Sequence, residues 1–207
     1  MTSTMTRLPA IELVDWRRQV ALLYERARAE PDPQVAHQVW REGRRALLGG
    51  HPQSPLAPDD PMRQSGPQYW PYDPSLRFVL PVLPSSSPRR RSIDAGGDGV
   101  VTIRAVGELE LPGTLKNSRV TLWWVEVYAG GLFLPLRDGT AGDTSYGGGR
   151  YLLDTAKGAD LGSDGQRLVV DLNFLYHPSC RYSDAWTCPL ADDANRVPGQ
   201  VCAGERM

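Results

Sequence analysis

Between Ile11 and Glu30, the apolar positions Leu13, Trp16, Val20, Leu23 and Ala27 recur at three- and four-residue steps, with Arg17, Arg18, Glu25 and Arg28 mostly elsewhere. That spacing places one apolar stripe along a helix. A second helix is expected after Asp32-Pro33, because an aspartate caps free amides and a proline is tolerated in the first turn. Its apolar positions are Ala36, Val39, Trp40, Gly43 and Leu47, and Gly49-Gly50 is the expected stop. From Leu76 onward the period shortens to two. Val101, Ile103, Ala105, Leu109 and Leu111 alternate with Thr102, Arg104, Glu108 and Glu110, the pattern of a half-buried strand. Val120–Tyr128 and Leu132–Leu136 flank Ala129-Gly130-Gly131 and predict a hairpin. Leu168, Val170, Leu172, Phe174 and Tyr176 predict the apolar face of a later strand, with Val169, Asp171, Asn173 and Leu175 pointing the other way.

Two helices followed by several strands, without βαβ alternation, indicate an α+β fold. The expected architecture is two N-terminal helices packed on an antiparallel sheet that closes into a small barrel-like or sandwich body. The chain divides into a helical segment, residues 1–50, a Pro-rich ordered loop, 51–75, and a β-rich body with a Cys/Pro loop, 76–207, all in one domain. The loop is too rich in Pro, Gly and Asp for a regular helix and is expected to cross the surface near the site.

Composition narrows the function. At 207 residues with a net charge of −1, the chain has no global basic field to recruit nucleic acid or an anionic membrane. Arg89-Arg90-Arg91 after Ser85-Ser86-Ser87-Pro88 reads as a solvated loop. No run reaches the roughly 18 apolar residues of a membrane span, and the N-terminus lacks the apolar core of a secretory signal. A soluble cytoplasmic protein is the expectation. Three cysteines do not make a disulfide-rich scaffold, so free thiols are the default.

Candidate chemistry concentrates between Tyr146 and Arg206. On a strand, Asp171 and Asn173 would share one face about 7 Å apart, and Arg150, after Gly147-Gly148-Gly149, is the natural counter-ion. Two readings stand: an Asp–Arg pair fixing strand register, or Arg150 holding a ligand anion oriented by Asp171. Tyr146 and Tyr151 flank the glycine bend and Tyr176 ends the strand, as aromatic walls or packing residues. Asn195 and Arg196 either contact ligand or bond loop backbone. His177, Cys180, Cys188 and Cys202 include zinc-ligand types but lack paired C-x2-C knuckles, and no metal is expected. A disulfide or a pair of buried thiols joining loop to body fits these cysteines better; a Cys180–His177 nucleophile and base is the alternative. His51, followed by Ser54, serves either as a general base or as a contact for a helix C-terminus.

The pattern G-G-G-R at 147–150, Asp171-x-Asn173, Tyr176-x-Pro178-x-Cys180, Cys188-Pro189-Leu190, Asn195-Arg196 and Ala203-Gly204-Glu205 resembles the bacterial and archaeal domain of unknown function family 1684. H-P-Q-S-P-L at 51–56 and Y-W-P-Y-D-P at 69–74 extend the resemblance over nearly the whole chain. His177 stands where the family pattern leads one to expect Asn. The resemblance implies no substrate. The reading is therefore a small-molecule-binding protein with a β-barrel cleft for a polar or anionic ligand, contacted by Tyr146, Arg150, Tyr151, Asn173, Tyr176, Asn195 and Arg196. A cofactor-independent enzyme with His51 or Asp171 as base is the alternative. No cofactor is expected.

Overall fold

The computed structural model describes residues 8–85, 89–94 and 99–207. Residues 1–7 of the N-terminal stretch and Ser86–Pro88 of the basic segment lie outside these residues. Helix α1 spans Pro9–Ala29 and α2 spans Pro33–Gly50. Asp32 caps α2 through its Oδ1, which accepts from the amides of Gln34 at 2.8 Å and Val35 at 3.2 Å. The two helices form an antiparallel hairpin drawn close at Gly43, where a Cβ would stand 2.4 Å from Leu23 Cδ1. α2 runs on through Gly49 and Gly50 instead of stopping before them, and His51 is its C-terminal cap residue. A one-turn helix, α3 (Met62–Ser65), interrupts the Pro-rich loop, started by the Asp60 side chain accepting from the Met62 amide at 2.8 Å.

Among the described residues there are ten strands: β1 Gln68–Tyr69, β2 Arg77–Pro81, β3 Arg90–Asp94, β4 Val100–Leu111, β5 Ser118–Val125, β6 Leu132–Leu136, β7 Arg150–Asp154, β8 Ser163–Asp164, β9 Arg167–Asp171 and β10 Glu205–Arg206. They form an antiparallel five-stranded sheet in the order β3-β4-β5-β6-β7, a three-stranded sheet β2-β9-β8, and the pair β1-β10. Leu109, Leu122, Leu134 and Leu152 of the large sheet share one core with Leu168 and Val170 of the small sheet and with Trp40 and Leu47 of α2. The result is an α+β protein with a sandwich-like body. No closed barrel forms among the described residues.

Two local departures from the sequence pattern matter. In β4, Ala105 pairs with Trp123 while Gly107 pairs with Leu122, so Val106 is an extra residue. Such a bulge reverses the in/out parity of everything beyond it. Ile103 and Ala105 consequently pack with Trp123, Phe133 and Tyr151 in a second cluster, whereas Leu109 and Leu111 enter the main core. The alternation read from sequence is one strand serving two cores. In addition, Arg90 and Arg91 belong to β3 and not to a solvated loop. Arg91 pairs with Asp192 at 3.1 Å and Arg89 donates to Thr121 Oγ1 at 2.9 Å.

Candidate functional site

The run 168–176 is not one strand. β9 ends at Asp171, whose carboxylate accepts from the Asn173 amide at 3.1 Å and turns Leu172–Phe174 into a 3-10 turn. A side chain that captures a nearby amide in this way competes with the sheet ladder. Asp171 and Asn173 therefore meet by a direct contact, Asn173 Nδ2 to Asp171 Oδ1 at 2.8 Å, and not by sharing a strand face. Tyr72 donates to Asp171 at 3.2 Å, and Arg77 lies 3.7 Å away. Burial pushes the Asp171 carboxyl up, opposed by these hydrogen bonds and by Arg77. Asn173 accepts from the Asp73 amide and donates to the Asp73 carbonyl, both at 2.9 Å, mooring the Pro-rich loop.

Arg150 does not pair with Asp171. Fully buried, it donates to Asp138 Oδ1 at 2.9 Å, to the Val201 carbonyl at 2.9 Å, to the Glu205 carbonyl at 3.0 Å and to the Ala203 carbonyl. Asp138 completes the clasp by accepting from the Val201 amide at 2.7 Å. A fork of rigid donors thus ties the C-terminal segment onto β7. Asn195 is equally buried, accepting from Trp123 Nε1 and donating to the Thr121 carbonyl, each at 2.8 Å. Arg196, exposed, contributes its backbone to a bridge with Arg137.

His51 and Asp171 are not brought together. His51 lines a cleft between α1 and α2, its Nε2 3.3 Å from Asp15 Oδ2 and its Nδ1 accepting from the Gln53 amide at 3.0 Å. Asp171 lines a separate cavity with Arg28 and Arg77.

An enclosed apolar space lies elsewhere, under the helical hairpin. A chamber of about 350 Å³ has a roof of Leu13, Trp16, Val20 and Leu23 from α1 and Trp40, Leu47 and Leu48 from α2. Its floor carries Tyr151 and Tyr176, and its far wall is the segment Trp186–Pro189. Of the residues expected at the site, Tyr151 and Tyr176 line it, together with His177 and Cys188, which the sequence had offered in other roles. Arg150, Asp171, Asn173, Asn195, Arg196 and Tyr146 do not. Tyr146 instead donates its amide to His177 Nε2 at 3.3 Å.

Two charged pairs border the chamber. Arg44 reaches from the buried stripe of α2 to Glu205, with Nη2 3.2 Å from Oε2 and Nε on Oε1. Glu205 also accepts from Tyr69 at 3.3 Å, Tyr182 at 3.2 Å and the His177 amide at 2.6 Å. Burial pushes its carboxyl up, but Arg44 and His177 offset this and hold it below the usual range. His177 is pushed down to about 4, first by burial, against the pull of Glu205. At the other end, Lys157 contacts Asp154 at 2.7 Å. Arg17 lines the same end, close enough to disfavour Lys157's charge, and carries no ion pair among the described residues. Arg44 was not among the sequence candidates, yet it stands between Trp40 and Leu48 at four-residue steps, a charge on an apolar stripe. That signal was available.

All three cysteines are free thiols. Cys180 and Cys188 are half-buried and linked by the Cys180 N–H donating to Cys188 Sγ at 3.4 Å, whereas Cys202 is exposed and joins no loop to the body. No cluster of three or more metal-ligating side chains forms among the described residues. No helix there is long and apolar enough to cross a membrane.

Fold and cavity together define an α+β protein with a sandwich-like body and an apolar chamber roofed by a helical hairpin. The chain belongs to the family described as Protein of unknown function (DUF1684), which matches residues 64–206. It is also similar to the solution NMR structure of the uncharacterized protein from gene locus rrnAC0354 of Haloarcula marismortui. That similarity is 29% identity over 84% of this chain and 94% of the other, with a TM-score of 0.58. No curated protein matches the chain.

Proposed function

We propose that the protein binds a small molecule with an apolar body and an anionic end in the chamber beneath the helical hairpin. The supporting observation is the conjunction of an apolar, aromatic-walled chamber with Arg17 and Lys157 at one end, where Asp154 is the one acidic side chain among the described lining residues. Its volume falls at the lower end of small-molecule sites, which are mostly apolar with a few convergent polar groups. Arg44 is engaged by Glu205, so it shapes the floor more than it attracts a ligand. This keeps the anionic-ligand reading but moves the contacts from Arg150 and Asn173 to Arg17 and Lys157, with Tyr151 and Tyr176 as walls.

Trp16, Trp40 and Trp186 line the chamber and supply the signal for a test. Tryptophan fluorescence is titrated with decanoate, decanol and decylamine. Decanoate should bind saturably and about tenfold more tightly than decanol, a difference of about 1.4 kcal/mol, with decylamine weakest. Arg17→Glu should remove that preference, and Val20→Trp, which fills the chamber, should remove binding. Equal affinity for the acid and the amine, or no saturable binding of any of the three, refutes the proposal.

A further inference from the structure

Cys180 and Cys188 lie eight residues apart in the segment that walls the chamber, and the backbone N–H of Cys180 donates to Cys188 Sγ at 3.4 Å. Each thiol is also the largest influence on the other's ionisation. Cys188 faces the chamber, while Cys180 lies behind it with Tyr146 Oη 3.9 Å from its sulfur. No strand pairing fixes residues 182–192. The Cys188 sulfur already rests against the Cys180 backbone amide, and on backbone free of a sheet ladder the two sulfurs can approach bonding distance without breaking a strand pairing.

We propose that Cys188 and Cys180 form a dithiol pair that reduces a hydroperoxide entering the chamber, Cys188 attacking and Cys180 resolving. The Cys188 thiolate attacks one peroxide oxygen. An S–O bond forms, the O–O bond breaks, and the departing oxygen takes a proton to leave as water or alcohol. Cys180 then loses its proton and attacks the Cys188 sulfenic sulfur. The S–S bond forms, the S–O bond breaks, and water leaves. The dithiol gives up two electrons and the hydroperoxide accepts them, so no further co-reactant is needed for one turnover.

The division of labour follows from the surroundings. The neighbouring Cys180 thiol, the Cys180 N–H and the charge of Lys157 hold the Cys188 thiol below its usual range despite burial. The same contact with Cys188, together with burial, holds the Cys180 proton in place. A thiolate supported by fixed donors is the form that reacts with peroxide. The pair requires nothing of the ligand proposed above, and its failure would leave that proposal standing.

Trypsin separates the three cysteines, since cleavage after Arg167, Arg181, Arg196 and Arg206 places Cys180, Cys188 and Cys202 on different peptides. The reduced full-length protein is treated with one equivalent of hydrogen peroxide, blocked with N-ethylmaleimide and mapped by mass spectrometry. The expected product is peptide 168–181 joined to peptide 182–196, with Cys202 still alkylated. In Cys180→Ser, dimedone should trap a sulfenic acid at Cys188. Alkylation of Cys188 at pH 6.5 should keep at least half its pH 8 rate, whereas that of a short cysteine peptide falls about 25-fold over the same span. Oxidation of Cys202 ahead of the pair, joining between molecules, or thiols at 180 and 188 that survive the peroxide overturns the assignment. The wild-type arm decides even if the variant misfolds.

Discussion

Replacing Arg150 by Met keeps most of the side-chain volume and removes the guanidinium. The structure makes the cost large. Arg150 is 0% and Asp138 1% exposed by side chain, so the variant leaves a carboxylate in the interior without its counter-charge. Breaking a buried pair from one side costs about 3–5 kcal/mol. The carbonyls of Val201, Ala203 and Glu205 also lose a donor, and an unsatisfied buried acceptor costs about 1–3 kcal/mol. These terms overlap, because the freed C-terminal segment can peel away and hydrate, and a total of about 4–6 kcal/mol is expected. For a chain of this length, that corresponds to a fall in Tm of about 10–20 °C. Urea unfolding followed by tryptophan fluorescence gives the free energy, and hydrogen exchange at residues 201–206 shows whether the loss is local. Arg150→Lys, which keeps the charge but not the fork, should lose about half as much. Stability within about 1 kcal/mol of the parent, with unchanged exchange at 201–206, would refute the clasp and return Arg150 to the ligand-binding candidates.

Acid should destabilise the fold before ordinary carboxylates titrate. Burial is the first cause lowering both His37 and His177, each to about 4 from 6.5, so the unfolded chain binds more protons between these values. Their stabilisation is complete above pH 6.5 and is lost as pH falls toward 4, about 3 kcal/mol in all between pH 6.5 and 5. His37→Phe should remove about half that dependence in urea titrations at several pH values, and an unchanged slope would contradict it. Asn173→Ala should cost about 2–3 kcal/mol, because the Asp73 amide and carbonyl lose their partner. The matching sign is faster amide exchange around Tyr72–Leu76, and unaltered exchange there would show that other contacts moor the loop.

The helices were legible because their information is local. Asp32-Pro33 starts α2 within one turn, and the apolar stripe has the helical period whatever it packs against. The strands were legible only in part. β4 alternates on either side of Val106-Gly107, but the bulge there depends on its pairing with β5, which the letters of β4 alone do not contain. The run 168–176 carries a period of two throughout, yet Asp171 captures the Asn173 amide and ends the strand. Side-chain capture of backbone was a known property of aspartate; that it wins here follows from Tyr72 and Arg77 arriving from about a hundred residues away to hold the carboxylate in place. Partner choice was the hardest to read. Arg150 had an acid in the correct class but the wrong position, because Asp138 sits in a turn whose return to β7 is set by tertiary packing.

The same distinction explains why the chamber was missed although its roof was seen. The α1 stripe runs from Leu13 to Ala27, and its full length appears to the eye as a surface to be buried. Only Leu23, Tyr24 and Ala27 are fully buried, while Leu13, Trp16 and Val20 remain half-buried and face the chamber. Gly43 brings α2 against α1 at Leu23, and α1 toward its N-terminus overhangs the wall formed by residues 186–189. A stripe longer than the contact that buries it leaves apolar surface over a space, and Arg17 and Lys157 give one end of that space its charge. An apolar stripe in a sequence thus marks what must be shielded from water; whether protein or ligand does the shielding is decided by where the helices touch.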